Sequence, residues 1–330
     1  MKNRSRIKAL RSYREAYGFS EDPFALNPDP KFLYLSPTHS EALFSMLSGI
    51  KDRVGIIVIT GEAGVGKTIL VYRLLKDRTE KTRTAFVFNP TLDLRGILEN
   101  IFQELGLPIR EKGENLFSLL VHFRKTLQES FKQSETVAIV IDEAQSLDEE
   151  VLEGLFRLAT PDSPGTQFLQ ILLVGHPDLQ AKLHSERFTA FKERIAIKAH
   201  IHPFTREEGR DYIGYRLNLV GRDISEVFTV EGVNRILEFA RGNPRVINLL
   251  CNRALLIGRD DARPMVDVKI VTRAIKDLEY LRGRKPKTSP TLLSRHIKSW
   301  PNSIRILFFA FSAGVFLLSL AKIFSLLLQK

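Results

Sequence analysis

Short apolar runs alternate along this chain with longer stretches whose apolar residues recur at helical spacing. The runs Gly55–Thr60, Thr84–Asn89, Thr136–Asp142, Leu169–Gly175 and Ile195–Ile201 read as strands, with Val137–Ile141 reading as buried. Helical patterns fill 67–78, 93–105, 114–131, 149–159 and 177–184 between them. Strand and helix alternating at this interval predict an α/β fold, a parallel sheet with crossover helices on both faces. After Pro203 the pattern turns wholly helical, over Thr205–Val220, Val230–Ala240, Val246–Gly258 and Val266–Leu281. Thr205 with Glu208 predicts a capping box at the first of these, and Thr38 with Glu41 predicts another for a helix through Leu47. The organisation expected is a basic leader (1–15), a nucleotide-binding α/β domain (16–203), a helical domain (204–281), a basic linker (282–305) and an apolar helix (306–328).

That last segment changes the reading of the chain's charge. Ile306 to Leu328 is predominantly apolar with Lys322 as its single charge, and as a helix its 23 residues would extend roughly 34 Å, enough to cross a bilayer. The net charge of +11 concentrates at the two ends: residues 1–15 carry +5, residues 281–330 carry +9, and residues 16–280 carry −3. Basic residues beside an apolar span point to anionic lipid, with the α/β body on the cytoplasmic side of a bacterial inner membrane, and argue against nucleic acid as a partner. The bland alternative for 306–328 is an apolar helix buried in protein. The single cysteine, Cys251, excludes a disulfide framework and sits in a helical apolar pattern that predicts burial. His200 and His202 alternate along a strand and should share one side of it.

The chemistry is concentrated in Gly61-Glu62-Ala63-Gly64-Val65-Gly66-Lys67-Thr68, followed by Ile69, between a β-branched run and a helical one. The glycines let backbone N–H groups face a phosphate, and the helix N-terminus adds its positive end. Lys67 is then expected on the β- and γ-phosphates of ATP, and Thr68 on Mg²⁺. Asp142 and Glu143 close the Thr136–Asp142 strand, where parallel sheets bind ligands. Asp142 is expected to hold Mg²⁺ and Glu143 to polarise the attacking water, which argues for hydrolysis. A solvated acidic turn is the bland alternative.

The chain further contains Tyr17-Gly-Phe-x-x-x-Pro-Phe24, Pro28-Asp-Pro-x-Phe-Leu-Tyr-Leu-Ser-x-x-His39, Ile141-Asp-Glu-Ala-Gln145, Leu172-Leu-Val-Gly-His-Pro-Asp-Leu179, Glu193-Arg-Ile195 and Gly242-Asn-Pro-Arg-Val-Ile-Asn248. With the phosphate loop, these resemble the AAA+ ATPases, and within them the secretion-ATPase group typified by general secretion pathway protein A (ExeA-like), over about residues 13–281. The resemblance implies ATP hydrolysis, a homo-oligomer formed with ATP, and an envelope or secretion-system protein partner. It implies further roles for three residues: Arg194 as an arginine finger for a neighbouring subunit, Arg245 as the sensor-2 arginine of the helical lid, and His176 at the sensor-1 position. The chain departs from the pattern at Lys198, where a second arginine is usual, and it stops two residues after Leu328, so cell-wall binding is not carried over. Two other readings remain open at this point: a DNA-associated AAA+ regulator of the transposition or replication-initiation type, and a nucleotide switch that scarcely hydrolyses.

Overall fold

A computed structural model describes residues 13–87, 89–108, 115–160 and 167–283. Residues 1–12 of the expected leader and the expected membrane span over 306–328 lie outside the described residues, and among those described no helix is long and apolar enough to cross a membrane. The described residues up to Lys276 belong to one compact unit, and residues 277–283 fall in a second.

Five strands, β1 (Ile56–Gly61), β2 (Thr82–Val87), β3 (Thr136–Ile141), β4 (Leu169–Gly175) and β5 (Ile195–Ile201), form one sheet in the order β2-β3-β4-β1-β5. Every pairing in it is parallel. Side chains of β1, β3 and β4 are buried throughout because helices cover both faces, which is why these strands read as near-continuous apolar runs. Ile56, Val58, Ile139, Ile141, Ile171 and Leu173 join one core with α4 (Leu94–Glu104), α5 (Leu116–Lys132), α6 (Glu149–Leu158) and α7 (Pro177–Leu183). Their neighbours Ile57, Ile59, Val140, Leu172 and Val174 face the opposite way, onto α2 (Pro37–Lys51) and α3 (Lys67–Asp77). β5 is an edge strand, and its burial is only partial until Ile201.

The helices after β5 are α8 (Arg206–Leu219), the short α9 (Ile224–Val227), α10 (Val230–Ala240), α11 (Pro244–Asp260) and α12 (Val268–Gly283). The Thr205–Glu208 capping box forms with both of its bonds, at 3.2 and 2.8 Å. The box expected from Thr38 and Glu41 does not. Pro37 takes the first helical position, where its fixed φ suits the helix and its missing N–H costs nothing, so α2 begins earlier, with Ser36 as its cap residue and Thr38 already inside. Cys251 is buried, as its pattern predicted. The arm before α2 packs on the helical domain through aromatic rings: α1 (Tyr13–Tyr17) sends the Tyr17 hydroxyl to the Arg263 carbonyl at 3.3 Å, and Phe24 meets Phe228 edge-on at 6.3 Å.

Candidate functional site: a phosphate loop with an acidic strand end

β1 delivers the chain at Gly61, and α3 takes it up at Lys67. Gly64 and Gly66 have φ of +85° and +112°, conformations that favour glycine. Lys67 is buried and its Nζ donates to the carbonyls of Gly61 (2.8 Å) and Glu62 (3.1 Å). Burial pulls the Lys67 ammonium below its ordinary pKa, while Glu143, Asp142 and Glu62 oppose that shift.

Strand β4 separates β1 from β3, so Asp142 reaches the loop from two strands away. Thr68 Oγ1 donates to Asp142 Oδ2 at 2.6 Å, and the Glu143 N–H donates to Asp142 Oδ1 at 2.9 Å. Burial raises the Asp142 carboxyl above its usual range, and those two hydrogen bonds work against it. Glu143 sits at φ +54°, a conformation uncommon for residues other than glycine, and its carboxylate accepts from Gln145 Nε2 at 2.5 Å. Gln145 also accepts the His176 N–H through Oε1 at 2.9 Å, so one amide ties the end of β3 to the end of β4. His176 Nε2 lies 3.0 Å from Glu62 Oε2, with Asp178 Oδ2 3.0 Å from its other ring nitrogen.

Arg245 stands in the first turn of α11, and its N–H donates to the Gly64 carbonyl at 3.3 Å. Asn243 caps that helix and donates from Nδ2 to the Ala63 carbonyl at 2.8 Å. A Cβ on Gly64 would lie 2.8 Å from Asn243 Oδ1 and 2.9 Å from Arg245 Cβ, so glycine permits this approach. Arg194 is not brought to the site. It precedes β5, whose Ile195 pairs with Ile56 at the start of β1, whereas the loop begins at the far end beside Ile201. There it bonds Thr160 Oγ1 and lies over the Phe191 ring, 5.6 Å from its centre.

Residues 50–183 match the AAA domain family. The chain is 34% identical to General secretion pathway protein A of Aeromonas hydrophila over 244 residues, which is 74% of this chain and 44% of that protein. In solved structures, the ORC2 protein of Aeropyrum pernix superposes with a TM-score of 0.60 at 21% identity, covering 78% of this chain and 72% of that one. Cdc6p of Pyrobaculum aerophilum gives 0.63 at 18% identity, covering 81% and 75%. The chain belongs to the AAA+ P-loop family. At these low identities the two structures speak for the AAA+ fold alone, and the chain spans less than half the length of its secretion-pathway relative.

The AAA+ site includes residues that sequence reasoning left without a role. A cavity of about 350 Å³ extends from Gly64–Ile69 and Glu143 to the arm, where Phe32 and Tyr34 line it, and to the lid, where Phe204, Tyr212 and Asn248 do. The arm residues belong to the Pro28–His39 motif, which carried the signal without disclosing its place. Arg216 is buried at the same cavity, 4.7 Å from the centre of the Phe32 ring. His39, the last residue of that motif, is buried against the phosphate loop: Nε2 lies 2.8 Å from the Val65 carbonyl and Nδ1 lies 2.7 Å from Ser36 Oγ. Burial holds its pKa below the ordinary histidine value. His200 near the end of β5 and His202 just after it lie side by side, with ring centres 4.7 Å apart, and His200 Nδ1 pairs with Thr60 Oγ1 at 2.9 Å.

Proposed function

We propose that this AAA+ protein binds and hydrolyses ATP with Mg²⁺, and that it does so as a membrane-anchored ATPase that assembles or regulates an envelope secretion or surface-polysaccharide export system. The observation that carries the chemical half is the 2.6 Å bond from Thr68 to Asp142, which puts a hydroxyl and a carboxylate side by side next to Lys67. Two hard oxygens beside a phosphate cradle suit Mg²⁺, whose remaining ligands in such sites are phosphate oxygens and water. Bound there, Mg²⁺ would supply charge neutralisation between the β- and γ-phosphates.

The chain's own residues do the rest. Lys67 exchanges its two carbonyl bonds for the phosphate oxygens, and the N-terminal end of α3 adds its dipole. Glu143, exposed beside Lys67, orients a water for attack on the γ-phosphate, while Gln145 fixes its rotation. Arg245 reaches the same cavity from the lid. Arg194 serves the nucleotide of a second copy, which accords with its distance from its own loop. The membrane and secretion half is supported by the basic, apolar sequence after 281 and by the 34% identity to a protein named for the general secretion pathway.

The test is steady-state ATP hydrolysis beside equilibrium ATP binding. Glu143→Gln should bind ATP like the wild type and lose at least a hundredfold in kcat, in line with the loss of a group that positions the nucleophile. Lys67→Ala should lose binding itself. Wild-type turnover by Glu143→Gln would refute the role given to that carboxylate.

A further inference from the structure

Three successive carbonyls of the phosphate loop are held by groups that lie outside it. Asn243 takes Ala63, the Arg245 N–H takes Gly64, and His39 takes Val65. The first two belong to the lid, but His39 belongs to α2, a helix of the nucleotide-binding body. A planar trans peptide points its C=O and the following N–H in opposite directions. Whatever fixes a loop carbonyl on the outside therefore turns the next N–H to the inside, where a phosphate is met.

We propose that His39 is a positioning residue for phosphate binding: as the Nε2–H tautomer it holds the Val65 carbonyl, and so aims the Gly66 N–H into the loop. The tautomer follows from the partners. A carbonyl can only accept, so Nε2 carries the proton; Nδ1 is then an acceptor and takes the Ser36 hydroxyl proton. Ser36 is free for this because it makes no capping bond to α2. The fit is close on the loop side as well. A Cβ on Gly66 would lie 3.0 Å from His39 Nε2, and Gly66 holds φ +112°. The Ser-x-x-His spacing places both side chains on one turn at the start of α2, so this pair is a local unit of sequence acting on a loop 26 residues away. The inference rests on the nucleotide reading above and adds to it a residue that acts through the loop backbone.

Two substitutions of like polarity separate positioning from packing. The amide nitrogen of Gln stands as many bonds from Cα as Nε2 does, whereas that of Asn stands where Nδ1 does. His39→Gln can therefore still donate to Val65, and His39→Asn cannot. Binding of ATP to the full-length protein is measured for wild type, His39→Gln and His39→Asn, together with thermal midpoint, KM and kcat. Expected is His39→Gln within about threefold of wild type, and His39→Asn weaker by about tenfold in binding and KM at a midpoint matching that of His39→Gln, the loss of roughly one hydrogen bond's worth of affinity. His39→Asn binding as tightly as His39→Gln would overturn the proposal. So would equal weakening in both with lowered midpoints, which would make His39 a packing residue. Failure of the wild type itself to bind ATP would refute the nucleotide reading, and this inference with it.

Discussion

Gly242 sits where the lid turns toward the phosphate loop, and replacing it with alanine should damage both stability and binding. It holds φ +77°, and an added Cβ would lie 2.0 Å from the Phe204 carbonyl oxygen and 2.9 Å from the Phe204 nitrogen. Both are backbone atoms, so no rotamer change relieves the clash. The same two residues share a hydrogen bond, Phe204 N–H to Gly242 O at 2.8 Å, that any retreat would break. A left-handed alanine costs about 1–2 kcal/mol, a lost hydrogen bond about 1 kcal/mol, and forced displacement of packed groups about 1–3 kcal/mol. The total is about 3–6 kcal/mol, and at ~2–4 °C per kcal/mol for a domain of this size the thermal midpoint should fall by about 10 °C or more. Gly214→Ala is the control: it lies within α8 with nothing within 4 Å of its added Cβ, and should raise or preserve the midpoint. Because Asn243 and Arg245 follow directly, Gly242→Ala should also weaken ATP binding measured well below its midpoint. A midpoint within about 2 °C of wild type would refute the steric argument.

Other outcomes follow from the site. Burial raises the Asp142 carboxyl above its unfolded value, so stability falls as pH rises through the unfolded carboxylate range of about 4 and stays reduced above the folded value. Asp142→Asn should therefore be more stable than wild type at pH 7, by about 0.5–2 kcal/mol, with the gap closing as pH approaches 4, while Mg²⁺-dependent hydrolysis is lost; thermal midpoints against pH check this. Arg194→Ala should bind ATP normally and hydrolyse it poorly, and mixing it with Lys67→Ala should restore some turnover; full activity in a monodisperse monomer would count decisively against a finger in trans. Full-length protein should stay with membranes through high-salt and carbonate washes and show no salt-sensitive duplex DNA binding. Its release by carbonate would reject the span over 306–328, and tight DNA binding would restore the regulator reading.

What could be read from the sequence was what is local. The strands β1, β3 and β4 were legible because both of their faces are buried, and Gly61–Thr68 because its function depends on consecutive residues. β2 was placed two residues late, since the first half of this edge strand, Thr82 to Thr84, is only partly buried and polar. The 3₁₀ stretch Glu186–Arg194 was not anticipated, being too short and polar for a period to show. Lys67, Thr68, Asp142 and Glu143 were each given a task from the sequence and lie together in the structure, but His39, Asn243 and Gln145 were quoted in motifs without a task. Each acts on a partner distant along the chain or through backbone atoms, and neither relation leaves a pattern in side-chain order. The same holds for Phe32, Tyr34 and Tyr212, which meet only after arm and lid fold onto each other.

The parallel pairing of β1 and β5 places Gly61 at one end of the sheet and Arg194 at the other, seven residues or roughly 20 Å away along the edge strand. A copy that lends its arginine through one end and receives one at the other makes a head-to-tail contact, and such contacts close into a ring or run on as a helix, never into a two-fold dimer. Under the proposed role for Arg194, the count of working sites then depends on closure. An open row of copies always leaves its last nucleotide without an arginine, whereas a closed ring leaves none. Turnover per subunit would therefore rise with row length and step upward on closure, so the specific activity itself would report the geometry of the assembly.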